Sequence, residues 1–417
     1  MPIDYITKLL GIQGFVVKKI ELTSTVMGSA VTLDLERECK DYVCGRCKRK
    51  VKKAIPYRQR VVRHLTIWQH LTFLRFMQYR VICPDCGLQV ESLPFVDRYS
   101  RITLHLASLV YELCKVMTVK AVALFQRLDR GTVKKIDKEF LQKAQAERSL
   151  EGIEMLGVDE IAIGEGQAYW HLVSALDGQE GSELLYIGEG RKEEDLRGFW
   201  DWFGKERAER IKVGVMDMWK GFINSFKAHC PNIAIIYDKF HIVRHLLEAL
   251  NKVRKQELRY AGKKLKGLLA GKKFILLSRQ AHVRGRARVA LNQLLSLSRR
   301  LFKAHLLKEN FTHLWSYRSK TWAKKFWQSW KDTLKWSRLK PYKSFAKMVD
   351  KHLDGILAFC DHPVSLGFIE ATNLKARNII RRAYGYRDGE YMKLKIIQAC
   401  SSLSEFRPWS FSFNISS

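Results

Sequence analysis

Acidic residues are scarce in this chain. Across 417 residues, 42 Asp and Glu stand against 74 Lys and Arg, a formal charge of +32. The shortage excludes an acidic disordered chain and a small-molecule enzyme with a balanced surface. It points to a polyanionic partner, most often nucleic acid. Also missing is any run of about 18 consecutive apolar residues, so no transmembrane helix and no membrane partner are expected. The start, Met1-Pro2-Ile3-Asp4, has neither the basic residues nor the apolar run of a secretory signal. No internal repeat or low-complexity segment interrupts the chain. Nine cysteines, an odd number, fit a reducing cytoplasm and metal binding better than disulfides.

What is present is a chain that is 47% hydrophobic, enough for a substantial core. Eleven Trp and 11% aromatic residues argue against a simple basic tail protein. Charge is uneven. Residues 251–350 hold 27 Lys and Arg against 4 Asp and Glu, a net +23, whereas residues 151–250 hold 11 against 18, a net −7.

Short strands are expected at Phe15–Ile20 and Ala30–Leu35. Apolar periodicity predicts three helices, Leu104–Val116, Val119–Leu128 and Thr132–Leu141, the last two parted by a turn at Asp129-Arg130-Gly131. Three helices so spaced suit a helix-turn-helix. Thr132, Lys134 and Lys135, near the start of the third, are its candidate DNA contacts. From Met155 the period changes to two. Strands are expected at Met155–Ile163, Ala168–Leu176, Leu184–Ile187, Ile211–Met216 and Ile233–Tyr237. Helices are expected at Lys192–Lys205 and Gly221–His229. This order suggests a mixed α/β sheet, followed by an all-helical stretch from Phe240 to Asp361.

Two Cys-x-x-Cys pairs, Cys44/Cys47 and Cys83/Cys86, have the spacing of zinc knuckles. Each tight turn aims two thiolates at one Zn²⁺, and two pairs close a tetrahedron, so the zinc is structural. Strand-like runs at Arg60–Leu65 and Phe73–Val81 fit a zinc ribbon, and its basic residues suit DNA phosphates. Cys39, His64 and His70 stand as alternative ligands. Cys114, Cys230, Cys360 and Cys400 read as core residues.

Four carboxylates occupy informative places. Asp159 lies on the first strand of the sheet, Asp217 just after the fourth and Asp238 just after the fifth. Glu370 lies near the start of a late helix. Hard oxygen ligands of this kind can hold two Mg²⁺ or Mn²⁺ ions about 3.5–4 Å apart for phosphodiester chemistry. On a helix, Glu370, Asn373, Arg377 and Arg381 fall at spacings of three and four. They could bind metal and then follow a DNA backbone. Glu160 points to the opposite side of its strand from Asp159. The basic block also offers Lys263-Lys264, Lys272-Lys273, Arg284-Gly-Arg286-Ala-Arg288 and Arg299-Arg300 to DNA phosphates. Five Trp follow there: Trp315, Trp322, Trp327, Trp330 and Trp336. Core packing is the expected role for most of them, with stacking on an unpaired base as the alternative.

Over nearly its whole length the chain resembles the DDE transposases of the ISL-three insertion-sequence family. The matching features are the Cys-x-x-Cys pairs, the helix-turn-helix, Gly157-Val-Asp-Glu-Ile-Ala162, Met216-Asp-Met218 and Asp238-Lys-Phe-His241. A long C-terminal block also matches, Gly367-Phe-Ile-Glu-Ala-Thr-Asn-Leu-Lys375 leading to Arg382-Ala-Tyr-Gly-Tyr-Arg387. The chain departs from the family pattern at Leu374, where a second Asn is usual.

The resemblance implies a ribonuclease-H-like core that cuts and joins double-stranded DNA at terminal inverted repeats and in target DNA. It also implies a bacterial, nucleoid-associated protein acting as a dimer or higher. It leaves Asp217 and Asp238 as candidates for the second ligand. In the implied fold the fourth strand neighbours the first and the fifth lies one place further out. Strands are about 4.8 Å apart, which favours Asp217. The expected triad is Asp159, Asp217 and Glu370, with Asp238 and His241 as an accessory Asp-x-x-His motif.

The expected division is a zinc-ribbon domain at 1–100, a helix-turn-helix at 101–150 and the first part of the catalytic core at 151–250. A basic helical insertion at 251–360 and the final core helix with the tail at 361–417 complete it. A DNA-binding regulator, or a nuclease that does not join ends, is the alternative function.

Overall fold

In the computed structural model the described residues are 3–25, 28–163, 168–178, 181–261, 266–267, 272–362, 364, 367–382 and 387–406. Lys263, Lys264 and residues 383–386 of the C-terminal block lie outside them. The chain divides into two compact units, 1–147 with 405–417, and 148–404.

The first unit opens with helix α1 (Ile3–Leu10) and the hairpin β1 (Phe15–Thr25) and β2 (Gly28–Arg37). The short pair β3 (Tyr42–Val43) and β4 (Lys50–Val51) follows, then β5 (Ala54–Ile67), β6 (His70–Cys83) and β7 (Gly87–Val90). The order β1-β2-β6-β5, with β7 also on β6, makes a five-stranded sheet. It is larger than the ribbon and short strands expected. Alternation extends the strands: Val31, Leu33 and Leu35 are buried on β2, and Leu74 and Phe76 on β6, around Phe15 and Phe95.

Helices α2 (Leu104–Val116), α3 (Val119–Gln126) and α4 (Arg130–Glu147) complete the unit. Thr103 and Thr118 cap the first two, their hydroxyls accepting from the Leu106 and Ala121 N–H groups. The turn into α4 falls earlier than the sequence suggested. Arg127 takes the left-handed conformation, and the Asp129 carboxylate accepts from the Thr132 N–H. Arg130 and Gly131 are therefore helical. Leu106, Val110, Val122, Val133 and Ile136 form the three-helix core.

The second unit carries β8 (Met155–Ala162), β9 (Tyr169–Gly178), β10 (Gly181–Glu189), β11 (Val213–Met216) and β12 (Ala234–Tyr237). Their order is β10-β9-β8-β11-β12. β8 to β10 form an antiparallel meander, while β11 runs parallel to β8 and β12 parallel to β11.

Helices α5 (Arg197–Phe203), α6 (Lys205–Glu209) and α7 (Lys220–His229) follow β10 and β11. The single helix expected at Lys192–Lys205 is broken at Gly204, whose φ of 90° no ordinary side chain adopts readily. Phe199, Trp200, Phe203, Phe222 and Phe226 from these helices pack with Leu156, Val158 and Met216 on one side of the sheet.

After β12 the described residues are helical, as expected: α8 (Lys239–Tyr260), α9 (Lys273–Leu277), α10 (Gly285–Leu297), α11 (Arg299–Phe311), α12 (Lys320–Asp332), α13 (Lys340–Lys351) and α14 (Leu353–Leu357). These helices have their own core, which includes Leu246, Leu250, Phe311, Trp327, Trp330 and Tyr342. Two helices close the unit, α15 (Gly367–Arg382) and α16 (Gly389–Ala399). Ile369 of α15 packs on the second side of the sheet with Val213, Val215 and Ile236. Gly157 permits this approach, since a Cβ there would lie 2.7 Å from the Ile369 Cδ1.

Candidate functional site: a carboxylate row and a cysteine cluster

The first knuckle lies in the turn between β3 and β4 and the second in the turn between β6 and β7. Together they bring Cys44, Cys47, Cys83 and Cys86 into one group, with all four sulfurs within 4.8 Å of one another. Sulfurs around a Zn²⁺ at about 2.3 Å sit roughly 3.8 Å apart. Cys47 and Cys83 are 3.6 Å apart, so the donor set fits that ion. Gly45 makes the first knuckle possible, because a Cβ there would lie 2.3 Å from the Val90 carbonyl oxygen. The Cys47 N–H holds the Cys44 pKa down to about 7, against the effect of burial and with help from the Arg46 N–H. The hydrogen bond with Cys47 and burial push Cys86 the other way, up to about 12, so the ion-free cluster gives up its first proton at Cys44. The alternative ligands are engaged elsewhere: His64 bonds Thr103, His70 bonds Ser29 and Cys39 bonds Asp41. Cys114, Cys230 and Cys400 are buried, as expected of core residues.

The carboxylates collect at the carboxyl ends of the parallel strands. Val215 pairs with Gly157, so Asp159 and Asp217 each stand two residues further on. Met216 pairs with Tyr237, so Asp217 and Asp238 each stand one residue further on. Gly157, Val215 and Ile236 face α15, and alternation puts Asp159, Asp217 and Asp238 on that same side. The three form a row across β8, β11 and β12.

Asp159 accepts from the Glu160 N–H at 2.8 Å and from the Asn373 side-chain amide. Burial raises its pKa above the ordinary value. The charge of His241 and these two hydrogen bonds pull it back, while Asp238 pushes it further up. Asp217 accepts from the Met218 N–H at 2.6 Å. Asp238 caps α8, one oxygen accepting from the Phe240 N–H at 2.8 Å and the other lying 3.0 Å from the His241 Nδ1. Burial lowers the pKa of His241. The bond to Asp238 and the charges of Asp217, Asp159 and Asp238 outweigh that and raise it to about 9. An imidazolium thus sits among three carboxylates.

Helix α15 splits the expected polar face in two. Asn373 is buried against Asp159, with its Oδ1 unpartnered among the described residues, while Glu370, Arg377 and Arg381 are exposed. Among the described residues, no three carboxylate or imidazole groups gather within 4.8 Å as the sulfurs do.

The proposed DNA contacts also divide. Arg284, Arg286 and Arg299 are exposed. Arg288 donates to the Gln280 carbonyl, and Arg300 pairs with Glu257 at 2.7 Å. On α4, Thr132 and Lys134 are half-buried, and Lys135 is exposed 3.8 Å from Glu139. Trp327 and Trp330 are buried in the helical core, Trp315 is partly buried, and Trp322 and Trp336 are 60% and 93% exposed.

Sequence reasoning missed Arg191. It pairs with Glu160 at 3.3 Å and stacks on Tyr169 and Trp219. No motif marks it, although its neighbours flank Asp159 and Asp217.

The fold and site define a DNA-binding protein with a zinc ribbon, a helix-turn-helix and an α/β unit whose strands end in carboxylates. A family model described as a transposase matches residues 156–396. A helix-turn-helix domain of transposase family ISL3 matches residues 91–141. The zinc-finger of transposase IS204/IS1001/IS1096/IS1165 matches residues 41–86. The chain is 30% identical over 390 residues to the transposase for insertion sequence element IS1001 of Bordetella parapertussis, covering 93% of this chain and 95% of that one. It is 25% identical over 402 residues to the transposase for insertion sequence element IS1557 of Mycobacterium tuberculosis, covering 88% and 86%. The chain belongs to the ISL3 family of insertion-sequence transposases.

Proposed function

We propose that this transposase binds the terminal inverted repeats of its element through the zinc ribbon and helix-turn-helix. It then cuts and joins DNA ends with Asp159, Asp217 and Glu370 as the metal-holding triad of a ribonuclease-H-like core. The strand order and the row of three carboxylates on one side of the sheet support this reading, with Glu370 an exposed residue of α15, the helix whose Ile369 packs on that side. Divalent ions held there, Mg²⁺ or Mn²⁺, would activate the attacking oxygen and stabilise the leaving one.

The protein's own contributions follow from the contacts. The Asn373 amide orients the Asp159 carboxylate. His241 offsets the negative charge of the row and holds Asp238 in place. The exposed Arg377 and Arg381, next along α15 from Glu370, offer guanidinium forks to the DNA backbone. Handling two ends in one complex calls for at least a dimer, and the work belongs in the cytoplasm, where the DNA is.

Asp217 is preferred as second ligand because β11 neighbours β8, whereas β12 and its Asp238 lie one strand further out. One observation favours Asp238 instead, since its charge reaches Asp159.

The test uses a labelled duplex carrying the inverted repeat that flanks the gene, a target plasmid and Mg²⁺. Asp159→Ala, Asp217→Ala and Glu370→Ala should abolish nicking and joining while end binding persists. An active Asp217→Ala beside a dead Asp238→Ala would reassign the second ligand. A wild-type protein that binds ends and never cuts with any divalent ion would sink the catalytic reading.

A further inference from the structure

Arg191 lies in the loop after β10, at the end of the sheet where the carboxylates collect. Its guanidinium carbon stands 4.4 Å from the Tyr169 ring centroid and 4.5 Å from that of Trp219. Its Nη1 donates to Glu160 at 3.3 Å. Glu160 follows Asp159, and Trp219 lies two residues beyond Asp217 at the start of α7. The residues that hold Arg191 thus flank two proposed metal ligands in sequence, while Glu160 and Tyr169 point to the side of the sheet opposite Asp159.

The loop itself is set. The Gly190 N–H donates to the Tyr169 carbonyl at 2.8 Å, and the Trp219 indole N–H donates to the Arg191 carbonyl at 2.7 Å. Gly190 has φ +81°, and a Cβ there would lie 2.1 Å from the Asp195 Oδ2. That same carboxylate oxygen accepts from the Lys192 N–H at 2.7 Å. Only glycine fits such a turn, so the approach to Arg191 is fixed on both sides.

A structural ion pair needs neither two aromatic faces nor partial exposure. Arg191 has both, its side chain being 33% exposed. Aromatic stacking fixes the plane of a guanidinium while leaving its edge to donate. One donor reaches Glu160, and the group carries five. A planar, oriented fork at the strand ends of a DNA-binding protein matches a phosphate.

We infer that Arg191, clamped by Tyr169, Trp219 and Glu160, contacts a phosphate of the DNA that reaches the carboxylate row, from the other side of the same strand ends. That DNA passes these strand ends only on the catalytic reading above.

The experiment uses the full-length protein and the inverted-repeat duplex. Binding is measured against salt without divalent ions, and joining is measured with Mg²⁺. Each phosphate contact contributes about 0.9 to the slope of log K against log salt. Arg191→Ala should flatten the slope by about that amount and slow joining roughly tenfold or more. Arg191→Lys keeps a cation but loses the fork and the stack, so it should restore the slope and leave joining slow. Glu160→Gln removes the ion pair and keeps the cation, so its slope should match wild type. Thermal unfolding of each variant reports on folding, and Arg191→Lys carries the test if the alanine variant does not fold. A wild-type slope in a folded Arg191→Ala protein would overturn the assignment. So would a Glu160→Gln protein that reproduces its losses, since Arg191 would then act only by bracing the loop. If wild type fails to cut, the catalytic reading falls, while the metal-free slope still decides whether Arg191 touches DNA.

Discussion

In the zinc ribbon four sulfurs stand within 4.8 Å of one another, while at the strand ends of the α/β unit no three ligand groups do so among the described residues. The difference follows from charge. Most thiols are neutral near pH 7 and can crowd together before any ion arrives. Carboxylates are ionised, and two at 4 Å repel by about 4 kcal/mol at an effective dielectric constant of 20. The sheet accordingly spaces them one per strand, and His241 sits among them as a counter-cation. One site is assembled by its fold. The other is held apart by it and would close around ions.

The strongest way to break this contrast is at the sulfurs. Removing one thiolate by Cys83→Ser leaves a tetrahedron with three. Structural zinc contributes an apparent 10–16 kcal/mol, roughly, to folding in small zinc domains, as much as most domains have in all. Zinc should be lost from the variant, with end binding down by about a hundredfold or more, while the α/β unit keeps its own melting transition. Metal content and binding to the inverted repeat check this. Full zinc occupancy with normal binding would show that the four-sulfur set is not the support it resembles.

At the carboxylates the same deletion should do the reverse to stability. Burial raises the pKa of Asp159, so its ionised form is less favourable folded than unfolded. Asp159→Ala should reduce cleavage by about a thousandfold or more. Its metal-free melting temperature at pH 7 should equal or exceed wild type's. A fall of several degrees would mean that Asp159 serves the fold rather than the chemistry. Asn373→Ala acts one layer out. It frees the Asp159 carboxylate without removing it, and a loss of 10–100-fold, roughly, in metal affinity or rate is expected. Titrating cleavage with Mn²⁺ would separate the two, because excess ion should rescue the Asn373 variant and not the Asp159 variant.

How much of this could be read from residues alone depended on how local each signal was. The zinc ligands were legible because each Cys-x-x-Cys pair is its own turn. Leu104–Val116 was legible to the residue because periodicity and the Thr103 cap agree. The start of α4 was misread because Gly131 looked like a turn, whereas Asp129 folds over it as a cap. The breadth of the N-terminal sheet was hidden, since the β1-β2 hairpin joins β6 only through the long-range pairing of β2. At the carboxylates, strand ends pointed to Asp159, Asp217 and Asp238, but helical spacing overreached. It grouped Asn373 with Glu370, Arg377 and Arg381, and tertiary packing buried the Asn alone. Trp composition could not separate Trp327, 1% exposed in the core, from Trp336, 93% exposed on its helical block. Arg191 was invisible because its partners come from three separate segments.

The smallest expected effect is also the sharpest test of the contrast, because the two units should respond to pH with opposite sign. His64, on β5 and bonded to the capping Thr103, is buried, which lowers its pKa to about 4. The unfolded chain takes up that proton near pH 6.5 and the folded unit only near 4. The first unit should therefore lose stability as pH falls from about 6.5 to 4. For His241 the folded pKa of about 9 lies above the unfolded value. Its contribution is complete below about pH 6.5 and is lost as pH rises through about 9. Each titration should move its own melting transition by a few degrees, roughly. In zinc-loaded, magnesium-free protein, His241→Gln should flatten the alkaline decline of the α/β unit and leave the acid decline of the ribbon unit intact. His64→Gln should lessen the acid decline without removing it, since acid also protonates the four thiolates and releases zinc, and should leave the alkaline decline intact. An alkaline decline that survives His241→Gln would mean that the row is not balanced by that imidazolium. The spacing of the strands would then be its only relief from repulsion.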